Sequence, residues 1–279
     1  MRLCYMNGRF SDPSSCAIPT TDFSLQRGVG VFDTARTYDR RPFALAEHID
    51  RFFESARLLR IRTCIPKDEV ASVIREGIRL RGDETLVKMF FTGGDVEEAG
   101  CFPAPRFYVH FLPLTKWSEE QYLAGISLDP IPVARPLPRA KTIDYVTPMT
   151  MKDPSSRAFE TLYCPDGRIT ESATSSVFFV FGEHLVTAPD DIVLPGVTRR
   201  IMIDLAVATG IPVEYRTVAL EDVVRADEAF ITGSVKEILP IHHVGDRAVA
   251  GRHPGPVTRK LRDLFFRNRE RLLEQDRSL

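Results

Sequence analysis

Apolar residues recur at three- and four-residue spacing in two segments of the first half of the chain. This spacing places them on one face of a helix, so it predicts amphipathic helices over 45–59 and from Pro66 to about Leu80. Asn7-Gly8 lies between the run 3–6 and the segment from Arg9 onward and predicts a hairpin, because a type I′ turn needs positive φ at both central residues. The apolar positions of the first helical segment are Leu45, Ile49, Phe52, Phe53, Ala56 and Leu59.

β-Branched and aromatic residues are concentrated in several short runs, which predict strands. In the first half of the chain these runs cover 31–38, 85–92 and 106–114. In the second half the patterns predict helices from about Pro148, over 198–209 and from Pro256, strands over 177–181, 213–218 and 228–231, and a hairpin through 165–167. This mixture of helices and strands predicts an α+β fold class.

A proline-rich stretch divides the sequence near its middle. Five prolines lie between positions 113 and 138, around one short helical stretch near 117–123. Proline stiffens an extended chain and does not fit a central strand, so we predict an interdomain linker over 133–139. The 279 residues are enough for two medium-sized domains. We predict the first over 1–132 and the second over 140–279.

Composition and charge narrow the class of protein. Hydrophobic residues make up 43% and charged residues 27%, as in soluble globular proteins. Lys plus Arg number 37 and Asp plus Glu 38, and a net charge of −1 gives no reason to expect binding to nucleic acid or membrane. The five cysteines are scattered without a C-x-x-C pair, which speaks against a disulfide framework and a cysteine zinc site. Positions 1–15 carry no apolar signal segment, so we expect a cytoplasmic protein with reduced thiols.

Two segments have the chemistry of phosphate sites. Residues 194–199 place a glycine before a patterned helix, whose unpaired N–H groups suit an anion, but an ordinary helix start with Thr198 as N-cap explains them equally. Thr232-Gly233-Ser234 offers hydroxyl and amide groups after a strand, or forms a plain turn.

Gly28-Val29-Gly30 lacks the third glycine of a dinucleotide motif, so the sequence gives little support for nucleotide binding. His242-His243 lies in a strand run, where neighbours face opposite sides, so we predict no metal site.

Several further segments match one protein family in order and distance. Gly28-Val29-Gly30-Val31-Phe32-Asp33 resembles that family's G-x-G-[VC]-F-[ED] strand, and Glu47-His48-Ile49-Asp50-Arg51-Phe52 resembles its E-H-[IL]-x-R-[LF] helix. The other matching segments are 141–145, 167–178, 194–199, 232–234 and 255–259. The chain therefore resembles, over nearly its whole length, the fold type IV pyridoxal-phosphate enzymes: branched-chain aminotransferases, D-amino-acid aminotransferases and aminodeoxychorismate lyases.

The resemblance implies a role for each matching residue. Lys141 is implied to form the Schiff base with pyridoxal 5′-phosphate and to move the substrate proton. Glu171 is implied to face the pyridine nitrogen, and Tyr145 the ring's phenolic oxygen. The other implied cofactor-binding residues are Arg51, Val197, Thr198, Ser234 and Val235. The family's fold implies a small N-terminal α/β domain and a larger C-terminal pseudo-barrel domain, with the site between them completed by the partner of a homodimer.

Some positions depart from the family's pattern. Asp144 and Ser176 stand where asparagine is usual, so the family's pattern does not predict which hydrogen bonds these two side chains make. The four-residue spacing from Lys141 to Tyr145 resembles the D-amino-acid and amine transaminases, since the branched-chain enzymes have one residue more. The D-amino-acid branch usually binds the α-carboxylate with arginine in a T-R-G loop, whereas this chain has Thr92-Gly93-Gly94.

Arg27 and Lys88 are the nearest replacements for that arginine, and Phe32 is a further predicted substrate-binding residue. The alternative to a carboxylate-binding role is that Arg27 and Lys88 are ordinary surface residues. We predict a transaminase with a ping-pong mechanism that acts on small amino acids, D-amino acids being favoured. The alternatives are a branched-chain L-amino-acid aminotransferase and, from Thr34-Ala35-Arg36, an aminodeoxychorismate lyase. A non-catalytic cofactor-binding relative is a third interpretation, against which Lys141 and Glu171 speak.

Overall fold

The computed structural model describes residues 3–251 and 253–275. The helices are α1 (Phe23–Arg27), α2 (Leu45–Leu58), α3 (Lys67–Arg81), α4 (Glu119–Ala124), α5 (Val146–Thr150), α6 (Val197–Ala208) and α7 (Pro256–Gln275). Short 3₁₀ turns cover Pro13–Ser15, Pro165–Gly167 and Leu220–Arg225. The strands are β1 (Leu3–Met6), β2 (Arg9–Ser11), β3 (Gly30–Tyr38), β4 (Arg41–Pro42), β5 (Thr85–Thr92), β6 (Phe107–Pro113), β7 (Ile126–Ile131), β8 (Glu160–Tyr163), β9 (Arg168–Ile169), β10 (Ser176–Phe181), β11 (His184–Thr187), β12 (Val213–Tyr215), β13 (Val218–Ala219), β14 (Glu228–Gly233), β15 (Glu237–Val244) and β16 (Arg247–Ala248).

The described residues form two compact units. The first contains 3–115, 140–144 and 270–275, and the second contains 116–139 together with 145–269 apart from 252. The segment 140–144 belongs to the first unit because its backbone pairs with β3: Phe32 N donates to Lys141 O, and Ile143 N donates to Gly30 O. Residues 116–131 belong to the second because β7 pairs with β8 and β15. The units therefore divide the chain at other positions than the predicted domains.

The first unit is built on a six-stranded sheet in the order β2-β1-β6-β5-β3-β4. Helices α2 and α3 cover one face of this sheet, and their apolar stripes meet the inward side chains of the strands. The rings of Phe52 on α2 and Phe91 on β5 stack with centroids 4.4 Å apart. The periodic positions that predicted the two helices are therefore the positions that form this core.

The second unit contains an eight-stranded sheet in the order β12-β11-β10-β14-β15-β7-β8, with β16 paired to β15. Strands β10, β14 and β15 are antiparallel neighbours, whereas β7 runs parallel to β15 and β8. Their inward side chains, among them Val177, Ile231 and Leu239, form a second core. Helix α6 packs against β14. The α+β fold class is confirmed.

Several local differences from the predicted elements have physical causes. The run 213–218 is two strands, β12 and β13, which pair with different partners, β11 and β9. Arg27, expected in a loop, ends the short helix α1, which begins after Asp22 because that side chain accepts from Ser24 N. In the described part of the chain, no helix is long and apolar enough to cross a membrane.

Candidate active site

Lys141 is held in the first unit by its own backbone. Its carbonyl accepts from Phe32 N at 3.0 Å, and its N–H donates to Ser55 Oγ on α2, also at 3.0 Å. The side chain is 7% exposed, and its Nζ lies 4.7 Å from the centroid of the Phe32 ring. Strand β3 and helix α2 thus fix both the position of this lysine and the aromatic ring its amine meets.

Phe32 belongs to an aromatic face of the six-stranded sheet. Its ring stacks on Phe90 with centroids 5.8 Å apart, and Phe90 stacks on Tyr108 at 4.6 Å. Lys88 lies on the same face, because it pairs directly with Thr34, two residues after Phe32. His110 pairs with Lys88 from the next strand, and burial together with the charge of Lys88 lowers the pKa of this histidine. This face therefore combines apolar rings with one cation.

Arg51 is part of a buried charge cluster between β3 and α2. Its guanidinium donates to both carboxylate oxygens of Asp33, at 2.7 and 2.8 Å, and Asp33 also contacts Nδ1 of His48 at 2.7 Å. Burial alone raises the pKa of Asp33, but the charge of Arg51 and the contact with His48 outweigh it and hold that pKa well below its usual range. The carboxylate therefore orients the guanidinium.

The structure separates the two predicted carboxylate-binding cations. Arg27 is exposed at the end of α1 and donates to its neighbour Gln26 O at 3.1 Å, whereas Lys88 is half-buried on the aromatic face. The place of the missing arginine is tightly packed: a Cβ on Gly93 would lie 2.9 Å from Phe23 Cβ and 3.0 Å from Val29 Cγ1. A side chain at position 93 therefore needs the surrounding residues to move.

Glu171 is fixed in the second unit. Its side chain is 3% exposed and accepts from Leu194 N at 3.2 Å and from Arg135 Nη1 at 3.4 Å. Sequence reasoning missed Arg135, which lies in the predicted linker, because nothing in a proline-rich stretch indicates a buried ion pair. The link to Leu194 places Glu171 beside the segment that leads into α6.

The start of α6 has the chemistry of an anion site. Its N-cap is Gly196, not Thr198, and no side chain caps it; its first turn contains no acidic residue. Ser176 lies against this start, since a Cβ on Gly196 would come within 2.7 Å of Ser176 Oγ. Thr232 pairs directly with Ser176, and its buried hydroxyl has no hydrogen-bond partner among the described residues. Uncapped amides and a buried hydroxyl fit the phosphate of pyridoxal 5′-phosphate.

The remaining predicted cofactor residues also lie in the second unit. Val197 and Thr198 are the first two residues of α6, and both are buried. Ser234 and Val235 form the turn between β14 and β15, directly after Gly233. Tyr145 is half-buried at the N-terminal end of α5. Of the two departures from the family's pattern, Ser176 faces the start of α6, whereas Asp144 is exposed.

The paired histidines behave differently from ordinary strand neighbours. A register shift between Ile241 and His243 lets the Nδ1 atoms of His242 and His243 approach to 2.7 Å. Burial lowers the pKa of His242, and the neighbouring histidines add to the effect. Within 3–251 and 253–275, no group of three or more His, Cys, Asp or Glu is arranged to hold a metal ion.

Comparison with known proteins identifies relatives over almost the whole chain. The model of the family described as amino-transferase class IV matches residues 30–244. A Methanocaldococcus jannaschii protein, provisionally assigned as a branched-chain-amino-acid aminotransferase, is 31% identical, covering 94% of each chain. A D-alanine aminotransferase of Bacillus licheniformis is 28% identical, covering 91% of this chain and 93% of its own. The T.th. branched-chain amino acid aminotransferase, solved with pyridoxamine 5′-phosphate, superposes with a TM-score of 0.86 at 24% identity, covering 95% of this chain and 92% of its own.

Proposed function

We propose, from the premise that the chain belongs to the class IV amino-transferase family, that it transfers an amino group between a small amino acid and a 2-oxo acid, with D-amino acids favoured. Its cofactor is pyridoxal 5′-phosphate, which when bound supplies an electron sink for the charge left at the substrate Cα. The single observation that carries the proposal is the fixed position of Lys141, whose amine is buried against Phe32.

In this proposal Lys141 both binds the cofactor and moves the proton. A transaminase needs an amine that can bond to the cofactor. Once the substrate has displaced this amine, it must also move the proton between the substrate Cα and the cofactor C4′. The backbone bonds of Lys141 to Phe32 and Ser55 support this role, because they leave only the side chain to move. Positioning of this kind lowers the entropy cost of each proton transfer.

The second unit supplies the groups for the two ends of the cofactor. Glu171 places a negative charge at the pyridine nitrogen, and the amides of Val197 and Thr198 bind the phosphate with the hydroxyl of Thr232. Ser234, Val235 and Tyr145 are proposed as further cofactor-binding residues. Arg51 adds a phosphate contact, with Asp33 holding its guanidinium in one orientation.

The aromatic face supports a substrate-binding role for Phe32 and Lys88. The stacked rings suit a small apolar side chain, and Lys88 places a cation on the same face for the α-carboxylate. Arg27 is a second proposed cation, although its exposed position at the end of α1 gives it less support. The proposed preference for D-amino acids rests on the four-residue spacing from Lys141 to Tyr145, and Gly93 in place of arginine requires that another cation bind the α-carboxylate.

Absorbance of the bound cofactor tests this substrate class directly. We expect the spectrum to change faster with D-alanine than with L-alanine, L-leucine or either form of glutamate. A faster change with L-leucine than with any D-amino acid would replace the proposal with a branched-chain L-amino-acid aminotransferase. Release of pyruvate from aminodeoxychorismate without an added 2-oxo acid would replace it with a lyase.

The same assay separates the two cations. Lys88→Met is expected to weaken the binding of D-alanine about ten- to a hundredfold, because a charge-assisted pair is lost, and to leave the carboxylate-free (R)-1-phenylethylamine nearly unaffected. Arg27→Ala is the matched variant, and we expect a smaller effect from it. Equal losses for the amino acid and the amine in Lys88→Met would contradict a carboxylate contact.

We also propose a homodimer, which the resemblance supports, in the cytoplasm, which the scattered cysteines support. Light scattering of the purified protein is then expected to give about twice the chain mass of 31.5 kDa. A mass equal to that of one chain would contradict the dimer.

A further inference from the structure

Lys236 is a buried lysine that the proposed chemistry does not use. It follows Ser234 by two residues in the turn between β14 and β15, and its side chain is only 13% exposed. Its Nζ donates to Glu160 Oε1 and Ser175 Oγ, both at 2.8 Å, and to Thr174 Oγ1. Three acceptors match the three N–H groups of an ammonium ion, so the charged form of Lys236 is fully hydrogen-bonded.

Glu160, at the start of β8, binds the segment that follows Glu171. Its Oε1 accepts from Ser172 Oγ at 2.7 Å, and its Oε2 accepts from the N–H and the Oγ1 of Thr174, at 3.2 and 2.7 Å. Burial alone raises the pKa of Glu160, but Lys236 and these hydrogen bonds outweigh it and hold that pKa below its usual range. Burial lowers the pKa of Lys236, and the charge of Glu160 and its hydrogen bond act against this effect, so each member of the buried pair favours the charged form of the other.

Gly233, the residue directly before the turn that contains Lys236, also lies close to this segment. A Cβ on Gly233 would lie 3.6 Å from both Ser175 Oγ and Thr174 O, which is van der Waals distance. Ser172 N donates to Ser175 O at 2.9 Å and closes the segment into a turn. Two turns from distant parts of the sequence are thus joined by the hydrogen bonds of Lys236 to Thr174 and Ser175. Glu160 adds a second link, because its carboxylate binds Lys236 as well as Ser172 and Thr174.

These two turns lie next to the groups proposed for opposite ends of the cofactor. The segment 172–175 directly follows Glu171, which is assigned to the pyridine nitrogen. The turn 234–236 follows Thr232 after one residue, and the Thr232 hydroxyl is assigned to the phosphate. The separation of the two ends of the cofactor is fixed by its covalent structure, so both sets of protein groups bind at once only if their separation is also fixed.

We propose that Lys236 is a positioning residue: through Glu160 and Ser175 it holds the segment after Glu171 at a fixed distance from the turn 234–236 and thus from the adjacent Thr232. This inference rests on the proposed function, because it assumes that pyridoxal 5′-phosphate contacts Glu171 and the start of α6 together. Lys236 itself makes no contact with the cofactor in this account. Its effect is confined to ligands that need both ends of the site.

Binding to the apoprotein distinguishes this role from a direct contact or a general structural one. In Lys236→Met, we expect the Kd of pyridoxal 5′-phosphate to rise about tenfold or more. Inorganic phosphate and pyridoxal each need only one end of the site, so their Kd values are expected to stay within about twofold of the parent's. Lys260→Met is the matched control, since Lys260 is an exposed lysine of the same unit, and its three Kd values should equal the parent's.

Removing one member of a buried ion pair can prevent folding, so a double variant accompanies the single one. Glu160→Gln with Lys236→Met leaves no uncompensated charge, and we expect a folded protein with the same selective loss of pyridoxal 5′-phosphate. A parallel fall in phosphate affinity, a fall for all three ligands, or an unchanged Kd for pyridoxal 5′-phosphate would each overturn the proposal. A parent protein that does not bind pyridoxal 5′-phosphate would instead contradict the proposed function.

Discussion

Buried charged residues determine the chemistry of each part of the site. Glu171 is almost fully buried and meets Arg135 and the N–H of Leu194. An ionised carboxylate in such surroundings needs these donors, because removal from water disfavours a charge. The same donors limit the directions in which the carboxylate can point.

The proposed role of Glu171 predicts a specific kinetic loss. Glu171→Gln keeps the shape of the side chain and removes its charge, so we expect bound cofactor to be retained and the proton-transfer rate to fall on the order of 10²–10³-fold. Single-turnover absorbance kinetics measure this rate separately from binding. Glu183→Gln, at an exposed position of the same unit, is the control. Turnover equal to the parent's in Glu171→Gln would show that this carboxylate does not face the ring.

The sequence predicted only those site residues that belong to local motifs. Lys141, Glu171 and Thr198 lie in segments whose order and spacing resemble one family. Arg135 and Lys236 lie outside these motifs, and their partners Glu171 and Glu160 are 36 and 76 positions away along the chain. A single charged residue is usually exposed, so only the folded arrangement reveals that these two are buried.

At the scale of elements, β3 and α2 act as one support for Lys141. Asp33 on β3 binds Arg51 and His48 on α2, while Ser55 on the same helix binds the N–H of Lys141. Asp33 is fully buried, and the Arg51 side chain is 10% exposed. Loss of one partner from a pair of this kind leaves a buried charge without compensation.

This cluster predicts a pH-dependent contribution to stability. Asp33→Asn should lower the free energy of unfolding at pH 7 by about 3–5 kcal/mol. The folded pKa of Asp33 lies below its ordinary value of 3.8, so its stabilisation is fully present above that pH and is lost as the pH falls towards the folded pKa. Urea unfolding at pH 7 and at about pH 2.5, which lies between 3.8 and the folded pKa, should therefore show a smaller difference between variant and parent at the lower pH.

An exposed pair provides the control for this measurement. Glu76 and Arg79 are bridged on the surface of α3, with side chains 42% and 69% exposed, and Glu76→Gln should change the stability little at either pH. A difference for Asp33→Asn that stays constant or grows as the pH falls would contradict the assignment of the ionised carboxylate.

Helix and strand bounds show which elements follow from local patterns. Helices α2 and α3 end within a residue or two of their predicted limits, because the periodic apolar residues are those that contact the sheet. Strand β7 was not predicted, since Pro130 lies inside it, where the missing N–H weakens a ladder. It forms because β8 and β15 are both available as parallel neighbours, a long-range condition with no local signal.

At the scale of the whole molecule, the residues predicted to bind cofactor or substrate are divided between the two compact units. Lys141, Arg51, Phe32 and Lys88 belong to the first, and Glu171, Tyr145 and the start of α6 belong to the second. The return of residues 140–144 to the first unit could not be read from the sequence, because it depends on backbone pairing with β3. The proline content of the sequence predicted the domain boundary at 133–139 instead.

The central claim is that Lys141 is the lysine that bonds to the cofactor. Borohydride reduction of the protein with bound pyridoxal 5′-phosphate, followed by peptide mapping, measures which lysine carries the pyridoxyl group. The account predicts that the label lies on Lys141 and that it disappears in Lys141→Ala. A label on Lys152 or Lys88 in the parent protein would contradict the claim.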